Sequence, residues 1–333
     1  MVWHRSTTVP GQGEPGELLG PRLVPVPQVR TRTVAPGGAD GEHSLISTDL
    51  LTPVRVARVD TVDRVKTAWL PLAGVVNARD VGGLPTSDGG TVRYGRLYRS
   101  DNLQQLSRDD IEALIGPLGL RSVVDLRTSE ELQLEGPGPL NEVDGVRIHH
   151  LSLFPERGQR TDAADVPADE PPRDPVLPWH EENSPRGPRA PGSTYRTYLF
   201  ERPDSIVAAL RVIAEPDGAT LVHCAAGKDR TGVVVALALS EVGVERDSVV
   251  ADYVATSERI RDVLRRLAAT PTYARDVDAD DVDNIDRHRP RAATMHTLLA
   301  EMDEQDGGVG NWLRGHGWTE LDAAALRARL LDE

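Results

Sequence analysis

Apolar positions along the chain fall into short blocks of two kinds, some contiguous and β-branched, others spaced three and four apart. RSVVDL (121–126) and ATLV (219–222) read as buried strands, and VRIHHLSL (146–153) as a third. Helical spacing begins after Ser107, where RDDIEALIGPLG has Asp110 three positions past the serine, the pattern of an N-cap. SIVAALRVIAE (205–215) repeats that spacing, with Asp204 placed to cap it, and TGVVVALALSEVG (231–243) is an apolar helix stopped by Gly243. Three further helical patterns follow: VVADYVATSERIRDVLRRLAAT, RAATMHTLLAEMDEQ, and TELDAAALRARLL opened by Thr319 with Asp322. Strands separated by helices predict the α/β class, with a central, mostly parallel sheet flanked by helices and a helical C-terminal half.

Prolines mark where this pattern stops. Fifteen of the 25 lie in residues 1–50 and 155–193. The first stretch has no sustained period and too few apolar positions to bury, so residues 1–53 are expected to be a disordered tail. A single folded domain is expected over 54–333. The second stretch interrupts it as an insertion that is either a solvated loop or a lid.

Charge and composition narrow the function. The 333 residues carry 38 basic and 52 acidic side chains, a formal charge of −14. That argues against a nucleic-acid partner, which needs a basic face to neutralise phosphates. No run approaches the length of a membrane span and no hydrophobic leader is visible, so the expected location is cytoplasmic, with signal-less export left open. Cys224 is the only cysteine, which excludes an intramolecular disulfide.

That one thiol sits in HCAAGKDRTG (223–232), directly after a strand and before a helix. A strand-to-helix loop gathers backbone N–H groups into one concavity, and the helix adds its positive end, so a phosphate dianion fits there. The same field favours thiolate over thiol at Cys224. Ala225, Ala226, Gly227, Lys228, Asp229 and Arg230 would line the substrate. Arg230 holds phosphate oxygens in a fork, and Thr231 gives its hydroxyl to the sulfur as it leaves. A nucleotide-binding loop is excluded because Asp229 follows Lys228 and the first glycine is misplaced. Neither metal nor cofactor is called for. DVDADDVDNID (276–286) begins like a calcium loop but has Asp281 where glycine and Arg287 where glutamate are required.

With those residues in view, the chain resembles the bacterial tyrosine-phosphatase-like family whose loop reads HCxxGKDRTG, which includes secreted mycobacterial phosphatases acting on phosphoproteins and phosphoinositides. The likeness extends over 74–131, in NARDVGG (77–83), GRLYRSD (95–101) and VVDLR (123–127). It covers 74–260 well and reaches more diffusely to about 331, whereas residues 1–52 and 155–193 depart from it. The resemblance implies a cysteine-phosphatase-like fold and hydrolysis of phosphotyrosine through a phosphocysteine. Phosphoserine/threonine or phosphoinositide are its alternatives.

A general acid would complete that mechanism. Many cysteine phosphatases keep an aspartate on a loop roughly thirty residues before the cysteine. Here that interval holds Thr194 and Tyr195 and no aspartate. Two candidates remain: Asp125, at a strand end where ligands bind in α/β sheets, and Asp229 within the loop, of which Asp125 ranks first. Lys228 is similar to the extra cation of phosphoinositide phosphatases. His223 reads as structural, and Arg79 and Asp80 as a pair holding a nearby turn. A non-catalytic phosphate-binding module is the rival class, although it would have no use for Cys224, Arg230 and Thr231 together. An interaction scaffold built on the Pro-rich segments is the other.

Overall fold

Six strands make one mixed sheet in the computed structural model, which describes residues 66–155 and 193–332. They are β1 (Ala68–Trp69), β2 (Arg79–Asp80), β3 (Leu97–Ser100), β4 (Leu120–Asp125), β5 (Arg147–His150) and β6 (Ala219–His223), in the order β1-β2-β3-β6-β4-β5. β3, β6, β4 and β5 run parallel, and the short β1 and β2 add an antiparallel edge. The α/β architecture expected from the alternating blocks is the one observed.

The centre of the sheet explains why its strands read as unbroken apolar runs. Along β6, Leu221 packs into one core and Val222 into the other; Val123 and Val124 of β4 divide in the same way. A strand covered on both faces needs apolar residues at every position. One face is covered by α1 (Arg108–Ile115), the other by α4 (Pro203–Ala214), α5 (Asp229–Glu241), α6 (Arg246–Ala255) and the C-terminal helices α9 (Ala292–Asp306), α10 (Val309–Gly315) and α11 (Glu320–Leu330). A third apolar cluster joins Ala225 and Ala226 to α7 (Ile260–Ala268), Tyr273 and Ile285 of α8 (Val282–His288). Among the described residues no helix is long and apolar enough to cross a membrane.

Capping chemistry was legible in part. Ser107 with Asp110, and Thr319 with Asp322, form reciprocal capping boxes at α1 and α11. Asp204 does not cap α4: Pro203, with its fixed φ, occupies the first turn, and Asp204 pairs instead with Arg202 at 3.1 Å. The long helical pattern after residue 249 divides into α6, a 3₁₀ turn (Thr256–Glu258) and α7. Thr256 is fully buried there and its hydroxyl is bonded to Asn77 Oδ1 at 3.2 Å. Asp281, in the stretch that mimics a calcium loop, accepts from the Asp283 amide as the N-cap of α8. The expected tail, and the insertion beyond residue 155, lie outside the described residues.

Candidate active site

The segment 223–232 leaves the C-terminal end of β6, turns through Cys224–Lys228 and enters α5 at Asp229. Three carbonyls of this turn are bonded from behind. The Asn102 amide donates to Ala225 O at 3.0 Å; Asn77 Nδ2 donates to Ala226 O at 3.0 Å and Gly227 O at 3.2 Å; Arg99 Nη2 donates to Gly227 O at 2.8 Å. In a trans peptide the N–H points opposite to the carbonyl of the same unit. Fixing those oxygens therefore turns the amides of Ala226, Gly227 and Lys228 the other way, to form a cradle with the N-terminus of α5. Gly227 has φ +65°, and a Cβ there would lie 2.3 Å from Ser100 O, so neither conformation nor space admits a side chain.

The donors behind the turn come from the segments that resembled the phosphatase family. Arg79 Nε bonds Asp252 Oδ1 at 2.9 Å and Arg99 Nη1 bonds Asp252 Oδ2, so one buried carboxylate on α6 holds two buried guanidinium groups. Burial and the neighbouring Arg99 push the Arg79 pKa down to about 10, which leaves it charged at neutral pH. The expected Arg79–Asp80 pair is absent: Asp80 accepts from the Gly82 and Gly95 amides, and Arg79 points to the helix. Asp101 accepts from the Asn77 amide at 2.9 Å, which places the Asn77 carboxamide.

Arg230 is 3% exposed and its Nη1–Nη2 edge grips Glu131, at 2.6 and 2.9 Å. A planar guanidinium held on that edge presents Nε and the other Nη2 hydrogen on a second edge, a fork suited to two phosphate oxygens. Glu131 was missed by sequence reasoning, although Thr128-x-x-Glu131 spells a capping box. It closes α2 (Ser129–Glu135) onto the Thr128 amide at 2.6 Å and also accepts from Tyr273 Oη. Burial works against its charge, but Arg230 and Tyr273 outweigh that and hold its carboxyl below the ordinary range. The Phe154 ring lies 5.7 Å from the Arg230 guanidinium carbon.

Cys224 is 2% exposed at the base of this arrangement. Thr231 is fully buried, and its hydroxyl has no hydrogen-bond partner among the described residues. Lys228 is not a solvated surface lysine: it is 9% exposed and donates to His288 O at 2.9 Å, with Asp229 Oδ2 at 3.4 Å. Asp229, the first residue of α5, accepts from Tyr195 Oη of α3 (Ser193–Glu201).

Asp125, ranked first as proton donor, is paired on both oxygens with a buried guanidinium. Arg127 binds both of its oxygens, through Nε at 3.0 and 3.1 Å and Nη2 at 2.7 Å, and His223 Nε2 lies 3.5 Å away. Burial favours its neutral form, but the Arg127 guanidinium overrides it and holds the carboxyl well below the usual range. A carboxylate held in that way carries no proton to give at neutral pH. His223 itself is buried, which lowers its pKa to about 4 despite Asp125, and it stands as a neutral structural ring.

A family model described as the tyrosine phosphatase family matches residues 70–332. The chain belongs to the tyrosine phosphatase family. The triple specificity protein phosphatase PtpB of Mycobacterium tuberculosis is 30% identical over 78% of this chain and 98% of its own length. A tyrosine-protein phosphatase of Nostoc commune is 27% identical over 70% of this chain and 74% of its own. The enzyme is thus a protein-tyrosine-phosphatase-like phosphoric monoester hydrolase, and membership of the family implies phosphoprotein substrates. In this phosphatase the family elements around 77–83, 95–101 and 123–127 all converge on the back of the 223–232 turn or beside it.

Proposed function

We propose that this phosphatase hydrolyses phosphotyrosine on proteins through a phosphocysteine formed on Cys224. The observation that carries the reading is the outward anchoring of the Ala225, Ala226 and Gly227 carbonyls, which aims the turn's amides at one oxyanion. Cys224 Sγ bonds to phosphorus as the bond to the phenolic oxygen breaks. The amides of 225–230 and the Nε edge of Arg230 hold the three equatorial oxygens. Asp229, not Asp125, gives its proton to the departing oxygen. Water then attacks phosphorus, the sulfur leaves with the help of the Thr231 hydroxyl, and the Asp229 carboxylate takes the proton of that water. A thiol only 2% exposed favours the long reach of a phenolic arm over the short arm of serine.

A second reading, that phosphoserine/threonine or phosphoinositides are also turned over, is supported by the name of the M. tuberculosis relative and by Lys228 beside the cradle. Rates on a phosphotyrosine peptide, a phosphoserine peptide and inositol lipids, measured side by side with wild type and Cys224→Ser, test both. The phosphotyrosine peptide is expected to lead, with every rate abolished in the variant. Unchanged turnover by a folded Cys224→Ser enzyme overturns the mechanism, and a leading inositol lipid overturns the substrate.

A further inference from the structure

We infer that Tyr195 is the positioning residue for Asp229. The inference rests on Asp229 being the proton donor of the proposed reaction. Tyr195 lies 29 positions before Cys224, in the stretch that holds no aspartate. Its side chain nevertheless reaches the reaction: Tyr195 Oη donates to Asp229 Oδ1 and is 2.8 Å from Tyr253 Oη.

The direction of these bonds follows from proton counting. Tyr195 has one hydroxyl proton and gives it to the carboxylate, so Tyr253 is the donor in the bond between the two phenols. Burial, the Asp229 charge and Tyr253 raise the Tyr195 pKa well above its ordinary value, so it remains a donor throughout the working pH range. The ring is 5% exposed, stacked on Tyr198 at 6.1 Å and edge-on to Tyr253 at 6.2 Å. A buried, twice-packed phenol has little rotamer freedom, and it fixes the Asp229 carboxyl through Oδ1 whether that group is charged or protonated. Oδ2, 3.4 Å from Lys228 Nζ, is then the oxygen that carries and releases the proton.

The test compares kcat/KM on phenyl phosphate, a poor leaving group, with p-nitrophenyl phosphate, a good one. Wild type, Tyr195→Phe, Asp229→Asn and the double variant are assayed, with thermal melting to check folding. Loss of a hydrogen bond to a charged group predicts that Tyr195→Phe loses about tenfold on phenyl phosphate and under about threefold on p-nitrophenyl phosphate. In the Asp229→Asn background the same change is expected to add less than about twofold, because the group it positions has lost its proton. Equal losses on the two substrates, or an undiminished loss in the Asp229→Asn background, overturn the inference while a leaving-group-dependent Asp229→Asn keeps the proposed acid. An Asp229→Asn enzyme that loses both substrates equally overturns the acid assignment and this inference with it. If Tyr195→Phe does not melt cooperatively, Tyr253→Phe carries the test: a smaller shift of the substrate ratio in the same direction supports the inference, and an unchanged ratio overturns it.

Discussion

The guanidinium of Arg99 donates to the carbonyl oxygen of Gly227 at 2.8 Å, and through its other nitrogen it pairs with Asp252. The proposed binding of phosphate by backbone amides depends on what holds the carbonyls of the turn, and a buried arginine on the neighbouring strand β3 holds that of Gly227. The fold and the site are therefore not separable, and substitutions far from phosphorus are expected to alter phosphate binding.

Replacing Asp252 by Asn leaves Arg79 and Arg99 buried without their shared counter-charge. Breaking a buried ion pair from one side costs about 3–5 kcal/mol. Urea denaturation of Asp252→Asn is expected to show a loss of that size. Orthovanadate inhibition should weaken in parallel, because Arg99 no longer steadies the Gly227 carbonyl. A variant as stable as wild type would contradict the account of the network.

Gly227→Ala meets both obstacles at once, the left-handed φ of +65° and a backbone oxygen 2.3 Å from the new Cβ. The turn must move. A residue forced into a strained conformation costs about 1–3 kcal/mol, and the displaced amides should lower kcat/KM for p-nitrophenyl phosphate by more than about tenfold. Kinetics and a thermal melt on the same sample check both effects.

Glu131→Gln keeps the shape of the side chain that holds Arg230 but removes its charge. The amide can accept from Arg230 with only one atom and places an NH₂ against the guanidinium or Tyr273. Loss of arginine orientation is expected to cost about 10²-fold in kcat/KM, the scale of removing one oxyanion donor. A Glu131→Gln enzyme with wild-type kinetics would remove Glu131 from the site.

Acid should weaken the fold through His223. A histidine whose pKa falls to about 4 when buried binds its proton more readily in the unfolded chain, so stability is lost as pH falls from about 6.5 towards 4. The linkage amounts to about 3 kcal/mol. His288, also lowered to about 4 by burial and Lys228, adds in the same direction. Urea midpoints between pH 7 and 4 should fall less steeply in His223→Gln than in wild type. Identical slopes would mean that the His223 ring titrates normally.

The sequence alone determined what is local. Contiguous β-branched runs can be buried only as central strands, Ser107 and Thr319 announce helices through caps built within four residues, and Cys224 to Arg230 spells a phosphate loop because its groups are neighbours on the chain. It also exposed Asn77, Arg79, Arg99 and Asp125 as parts of recognisable segments, without saying what each one holds. Tertiary structure decided the partners. Arg127 folds back onto Asp125 two residues earlier and pairs with it, and Arg79 passed over adjacent Asp80 for Asp252 on α6. Glu131, Tyr195 and Tyr273 find partners 34 to 142 residues away in sequence, which no period or spacing records. Burial is the reason: once water is excluded, each charged or polar group must find a protein partner, and which one it finds is set by the packing of helices against the sheet.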